Sequence, residues 1–387
     1  MRPGTLNRAL LRYDATPHLV FWETTKACDL ACQHCRASAQ IDPLPGELTT
    51  AEGEALIDQI VSMEGASPIL VFTGGDCLSR ADLLELIGYA RSRGLRLGIA
   101  PSVTKRLTRE VLETIYSLGV RSISISLDGA SADSHDTLRG IAGHFEQTLA
   151  ALRMMSDIGF RVQVNTTVMR HNAHEMASIF SLLREIGLST WEVFFLVGVG
   201  RGVAVLEVDS RDAEDICHFL VDVTTYGMTV RTVEAPFFRR VQAEREPFGS
   251  TDPRINFELG HLYDVLHASL ADESGANAYP IRSTTLATGD GRGIVFVGYN
   301  GDVHASGFLP VALGNVKNES LRNIYMNNAL VTSLRAGALT GTCGQCEYRR
   351  LCGGSRARAF ARMGHVLADD PLCIRTPASR RSPVAKL

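Results

Sequence analysis

The stretch CDLACQHC (residues 28–35) sets Cys28, Cys32 and Cys35 at C-x3-C-x2-C spacing, in one loop just after the apolar run LVFWETT (19–25). Three thiolates leave one coordination position open. An Fe–S cluster with one iron unligated binds and reduces an outside molecule, whereas a cluster saturated by protein ligands only passes electrons. A structural zinc takes four ligands, so the same loop makes a zinc centre only by recruiting a further residue. His34, one residue before Cys35, keeps that Cys3His reading open.

The rest of the chain narrows the setting. Its 387 residues, 45% of them hydrophobic, suffice for one large core and a smaller one. A net charge of -3 with no block of like charges gives no electrostatic footprint for nucleic acid or an anionic membrane. Neither partner is expected. No run of ~18 apolar residues occurs, and MRPGTLNRALLRYDATPH (1–18) lacks the apolar centre of an export signal, so a cytoplasmic location is expected. In that reducing compartment nine cysteines point to metal or redox work rather than disulfides. They fall into two sets, 28/32/35 and 343/346/352/373, with Cys77 and Cys217 apart; Cys217, in AEDICHFLVDV (213–223), belongs to the apolar face of a helix.

Between the sets, LVFWETT, PILVFTG, LRLGIAP, SISISLD, RVQVNTTV and TWEVFFLV alternate with helical segments and read as six strands of parallel βα units. Thr49 with Glu52, and Ser79 with Asp82, have capping-box spacing at helix starts. Gly65, Gly94, Gly119, Gly159 and Gly187 stand where helices must end. The expected fold is α/β: a partial (βα)6 TIM-like barrel with a small C-terminal Cys-rich domain. The expected division is an N-terminal extension (1–17), the barrel (18–235), a connecting segment (236–290) and a Cys-rich domain (291–387), which opens on a hairpin, GIVFVGYNGDVHASG, turning at Asn300-Gly301. In parallel α/β folds chemistry gathers at the C-terminal strand ends. Five such ends carry polar residues here: the Cys loop, Gly74-Gly75-Asp76, Ser102, Asp128 and Asn165. Each alone is also an ordinary turn or cap residue.

The C-x3-C-x2-C loop after a first strand resembles the signature of the radical S-adenosylmethionine (radical SAM) superfamily. The resemblance implies that Cys28, Cys32 and Cys35 hold a 4Fe–4S cluster whose open iron binds S-adenosylmethionine, and that TGGDCL (73–78) places Gly74, Gly75 and Asp76 at the methionine amino group. It further implies that Ser102, Ser126, Asp128 and Asn165 contact other parts of that cofactor. One electron passed into the sulfonium then breaks a C–S bond and releases a radical that strips hydrogen from carbon, while the barrel keeps out water and oxygen. Cys77 departs from the family's usual proline; its weak S–H bond would suit a hydrogen donor, and a small residue in a packed turn is the plainer reading.

CGQCEYRRLC (343–352) with Cys373 reads on spacing alone as a zinc ribbon or a closed cluster. With GGSRARA (353–359) it resembles the SPASM-type C-terminal extension of the same superfamily. That implies that residues 291–387 form an Fe–S domain with one auxiliary 4Fe–4S cluster on Cys343, Cys346, Cys352 and Cys373, since Ser306, Ser355 and Arg356 stand where relatives carry further thiolates. Enzymes with this extension mostly modify ribosomally made peptides, by cross-linking, epimerisation or oxidation, or small cofactors and natural products, so a peptide substrate is the first expectation, against which about 18 residues before the first strand leave little for a leader-binding domain. The alternative is a tetrapyrrole: WETTKACDLACQHCRA and GGSRARA resemble the haem-pathway branch, whose members decarboxylate or trim propionates, and Arg201, Arg239 and Arg240 are available for its carboxylates. A third is a natural-product epimerase or dehydrogenase using Cys77. A non-catalytic Fe–S carrier or zinc scaffold leaves the incomplete Cys loop unexplained. An external low-potential electron donor is expected as partner, beside the peptide or small-molecule substrate. His135, Asp136 and Arg139 in HDTLRG suit a carboxylate or a helix start, and Glu234 beside Arg239 and Arg240 a place facing substrate.

Overall fold

The computed structural model describes residue 13 and residues 15–65, 67–270, 275, 278–281 and 288–375. Seven strands run parallel in chain order: β1 (Leu19–Glu23), β2 (Ile69–Thr73), β3 (Arg96–Ile99), β4 (Ser122–Ser126), β5 (Arg161–Val168), β6 (Thr190–Phe195) and β7 (Thr229–Val233). The first six are those expected. The seventh, TVRTV, pairs with β6 along its length but has no fully buried residue, which is why it carries no apolar signal.

Side-chain alternation divides each strand between two environments. Val20 and Trp22 of β1, Leu70 and Phe72 of β2, and Trp191 and Val193 of β6 are buried against helices in the main core. The residues between them, such as Phe21, Thr73, Asn165 and Phe194, point the other way, into the barrel. Helix punctuation follows the chemistry of free amides. Thr49 and Glu52 form a reciprocal capping box on the helix Thr50–Val61, and all five helix-ending glycines have positive φ. Ser79 and Asp82 do not. The helix there begins at Leu83, and Asp82 is instead taken by Arg80, 2.7 Å from Nε, and by Thr50, whose hydroxyl donates at 2.7 Å. An ion pair in hand outcompetes a cap.

The C-terminal region does not stand off from the barrel. The expected hairpin forms from β9 (Gly293–Val297) and β10 (Asp302–His304), with β8 (Gly289–Asp290) before it and β11 (Ala312–Asn315) after it. β9 lies parallel to β1, Leu19 opposite Ile294, so the sheet reads β11-β10-β9-β1 and onward to β7. The polar stretch after β7 contains two helices, Phe237–Arg245 and His261–Ala268, which pack on the helix Ser210–Thr224. Cys217 of that last helix is wholly buried in the core, as its apolar face requires.

Beyond the strand ends the β1 and β2 backbones stay zipped. Thr24 N–H donates to Thr73 O at 2.8 Å, Gly75 N–H to Thr25 O at 2.8 Å and Asp76 N–H to Ala27 O at 2.7 Å. A Cβ on Gly74 would meet Thr25 O at 2.6 Å, and one on Gly75 would meet Ala27 O at 2.6 Å. The paired glycines are what permits this approach. Gly75→Ala is therefore expected to cost on the order of 1–3 kcal/mol by forcing backbone apart. Gly88→Ala, in the helix Leu83–Ser92 with nothing within 4 Å, should be neutral or stabilising by up to about 1 kcal/mol. Urea unfolding of the two cluster-free variants checks the contrast.

Candidate active site

The zipped backbone delivers a loop closed at its neck. Cys28 N–H donates to Gln40 O at 2.7 Å and Gln40 N–H to Lys26 O at 3.0 Å, so the residues between them leave and return at one point on the barrel rim. Inside, Cys28, Cys32, Leu30 and Ala39 are buried together, with Cys35 packed on them, and all three thiols are free. Each sulfur has a donor or hydroxyl beside it: Leu30 N–H to Cys28 at 3.4 Å, Ser102 Oγ 3.8 Å from Cys28, Arg139 Nη1 to Cys32 at 3.4 Å, and Ala39 N–H to Cys35 at 3.5 Å. Burial pushes the Cys28 thiol up to about 11. A buried thiol becomes a ligand when a metal centre displaces its proton, and donors aimed at the sulfur stabilise the charge that results. The set fits an Fe–S cluster.

Two arginines fix this loop. Arg201 donates from Nε to Cys32 O and from Nη1 to Ala39 O, both at 2.9 Å. The Arg201 N–H also reaches Cys35 O at 2.9 Å, and a Cβ on the preceding Gly200 would collide with the carbonyls of Cys35 and Arg36. Arg139 bridges Cys32 to Asp128, whose Oδ2 lies 2.5 Å from Nη2. Asp128 is fully buried and held below the usual carboxylate range, burial being outweighed by Arg139, His34 and His135. His34 Nε2 lies 3.4 Å from the same Oδ2, and burial pulls its imidazole down to about 4. Thus His34 turns this nitrogen to the carboxylate, not to the thiols.

The remaining expected residues divide by how free they are. Asp76 is fully buried and saturated, accepting from Leu78 N–H and Ser102 N–H, each at 3.2 Å, and from Thr104 Oγ1 at 3.0 Å. Ser126 and Asn165 face each other across β4 and β5, half-buried on the barrel interior, with Asn165 Oδ1 accepting from Gln163 at 2.8 Å. Cys77 lies wholly in the main core, where burial raises its thiol well above the ordinary range. His135 and His144 form a buried pair, 2.8 Å between nitrogens, and Asp136 accepts from Gly143 and Phe145 N–H; of the HDTLRG trio only Arg139 reaches the Cys loop.

The basic residues offered for substrate carboxylates are mostly engaged elsewhere. Arg201 holds the Cys loop, and Arg240 is clamped by Glu214 at 2.5 and 2.7 Å and by Glu244 at 2.8 Å. Glu234 does not pair with Arg239 or Arg240: its carboxylate accepts from Ser355 Oγ and its carbonyl from Arg358 at 2.9 Å. Burial and the neighbouring Asp290 push the Glu234 carboxyl up to about 8. Two residues that sequence reading passed over complete the rim. Glu23, at the end of β1, sits 3.5 Å from Arg36, whose guanidinium lies 4.6 Å from the Phe296 ring centre. Arg36 directly follows the third cysteine, and that adjacency was the available signal.

The second cysteine set also converges. Cys343, Cys346, Cys352 and Cys373 line one cavity of about 260 Å3, ringed by Arg240, Arg349 and Arg375. Asp370 N–H points to Cys343 at 3.5 Å, Tyr348 N–H to Cys346 at 3.4 Å and Gly354 N–H to Cys352 at 3.4 Å. Burial raises Cys352 to about 12 and Cys373 to about 11. Ser355 caps the helix Arg356–Met363, and Arg356 donates to the carbonyls of Val366 at 3.0 Å and Ala368 at 2.6 Å. Four thiols, cationic surroundings and amides aimed at sulfur suit an anionic thiolate cluster. Among the described residues no helix is long and apolar enough to cross a membrane.

Residues 22–183 match the family model described as the radical SAM superfamily. The chain is 35% identical over 370 residues to an AdoMet-dependent heme synthase of Nitratidesulfovibrio vulgaris, covering 94% of this chain and 93% of that one. It is 27% identical to the mycofactocin maturase MftC of Mycobacterium tuberculosis, covering 92% and 83%. In fold it is similar to anSMEcpe with bound AdoMet, at TM-score 0.65 and 13% identity over 92% of this chain and 93% of that one.

The Arg139–Asp128 bridge is directly testable. Arg139→Leu strands a buried carboxylate and should cost about 3–5 kcal/mol, whereas Asp128→Asn combined with Arg139→Leu should cost less than the sum of the two single changes. Denaturant unfolding of the cluster-free chain across the double-mutant cycle measures the coupling.

Proposed function

Since the chain belongs to the radical SAM superfamily, we propose that it is a tetrapyrrole enzyme of that superfamily, one that decarboxylates or trims propionate side chains of a haem-type ring. The observation that supports this reading is the 35% identity to a heme synthase over nearly the full length of both chains. It favours a tetrapyrrole over the peptide substrate that the C-terminal extension suggests. Membership of the superfamily brings S-adenosylmethionine and a 4Fe–4S cluster.

In this reading Cys28, Cys32 and Cys35 hold the cluster, and Arg139, Arg201 and the amides of Leu30 and Ala39 set the loop's shape and balance its charge. When bound, the cluster and S-adenosylmethionine supply one-electron reductive cleavage of a C–S bond and, from it, hydrogen abstraction from carbon. Gly74 and Gly75 bring backbone close to the loop. Ser102, Ser126 and Asn165 line the barrel interior and would contact other parts of the cofactor. Asp76 and Asp128 position their neighbours rather than touching substrate, and Cys77 packs the core rather than donating hydrogen. The second set, Cys343, Cys346, Cys352 and Cys373, holds one auxiliary 4Fe–4S cluster whose charge the surrounding arginines offset. The reducing cytosol, with an external low-potential electron donor, is the setting this chemistry needs.

The test is anaerobic reconstitution followed by iron counting and incubation with S-adenosylmethionine, dithionite and ferric coproporphyrin. About eight irons per chain are expected, with 5′-deoxyadenosine formed and the porphyrin losing carbon dioxide and hydrogen from its propionates. Cys28→Ala/Cys32→Ala/Cys35→Ala should abolish both products. Formation of 5′-deoxyadenosine with every porphyrin side chain intact overturns the tetrapyrrole reading.

A further inference from the structure

The hairpin that extends the sheet past β1 places a histidine on the barrel wall. Of the chain's eleven histidines, His304 alone lies on a strand. It pairs with Phe296 across β10 and β9, and Phe296 pairs with Phe21 across β9 and β1, so the three form one row on the interior face. The row borders the Cys loop. Arg36 lies over Phe296 and, at 5.8 Å, over Phe308, while Phe308 is 6.0 Å from Phe194 on β6. An aromatic shelf thus reaches from β9 across to β6 at the mouth.

The state of the His304 ring is fixed by its surroundings. Nδ1 stands 3.1 Å from Val311 O. A carbonyl only accepts, so Nδ1 carries the proton and Nε2 keeps its lone pair. Burial, reinforced by Arg36 and opposed by the Val311 carbonyl, Asp302 and Glu23, pulls the imidazole below its ordinary range and so favours the neutral ring. Among the described residues nothing hydrogen-bonds Nε2. Beside it Glu23, 3% exposed, has one carboxylate oxygen on Arg36 and the other buried without a partner. A neutral imidazole with a free Nε2 and an anchored Nδ1–H is the donor that iron in a porphyrin takes as an axial ligand. The flat apolar wall next to it suits the face of such a ring.

Resting on the tetrapyrrole reading with an iron-bearing ring, we propose that His304 Nε2 is the axial ligand of that iron, with Phe296, Phe308 and Arg36 forming the wall against the ring. Ligation then holds the ring at the mouth beside the Cys loop, since the residue after Cys35 is part of that wall. This makes His304 a substrate-binding residue and the iron a feature by which the enzyme distinguishes metallated from metal-free rings.

The experiment titrates the full chain, anaerobically, with ferric coproporphyrin and with metal-free coproporphyrin, following the Soret band and the electron paramagnetic resonance of the iron. Wild type should bind the ferric ring with the spectrum of nitrogen ligation. His304→Ala should lose that spectrum and bind the ferric ring about 10–100-fold more weakly, with metal-free binding unchanged and imidazole restoring the ferric spectrum. His304→Met should shift the spectrum toward thioether ligation, which separates loss of a ligand from loss of fold. If His304→Ala gives the wild-type ferric spectrum, the ligand assignment is overturned while the tetrapyrrole reading stands. If wild type binds neither ring, both fall.

Discussion

Everything at the rim depends on how closely two backbones pass each other. The β1 and β2 chains remain hydrogen-bonded beyond their strand ends because Gly74 and Gly75 carry no Cβ, each of which would come within 2.6 Å of a carbonyl oxygen. That contact sets where the Cys loop starts. The loop's neck at Cys28 and Gln40, the placement of Ser102 beside Cys28, and the saturation of Asp76 all follow from it. A glycine pair that looks like a ligand-binding motif in sequence does its first work as a spacer between main chains.

The second organising feature is charge placed out of water. Arg139, Asp128 and His34 form a buried chain from β4 to the Cys loop, and Arg201 grips three of the loop's carbonyls. Buried ions of this kind do not add much net stability, but removing one partner is costly. Their effect is to leave the loop few alternative shapes, which the proposed ligation of one cluster by three sulfurs would require. The same logic recurs at the C-terminal cavity, where Arg356 ties the carbonyls of Val366 and Ala368 while Arg240 is clamped by two glutamates.

The sequence made the chemistry more legible than the architecture joining it. Cys28, Cys32 and Cys35 announce themselves because metal ligation needs a residue type and a spacing, and the first six strands because apolar alternation repeats. β7 is silent since TVRTV buries nothing fully. Ser79 and Asp82 had capping spacing, yet Arg80 sat between them and took the carboxylate, a competition that spacing does not show. Glu23, Arg36 and His304 escaped notice for a further reason. Glu23 and Arg36 pair within one segment, but only the pairing of β9 with β1 sets His304 beside them, across more than 270 positions from Leu19 to Ile294.

That pairing also bears on the order of synthesis. A ribosome releases β1 and the Cys loop first, then six further strands that can zip up in sequence, each onto its predecessor. Among the described residues, the outer edge of β1 has no partner until residues 293–297 have emerged. Contacts of such long sequence separation close slowly, and an open strand edge invites mispairing in the meantime. Between the emergence of Arg201, which grips the cysteine loop, and that of residues 293–297, the nascent barrel therefore holds the loop in place with the adjoining wall absent, an interval in which that side of the thiols stays open.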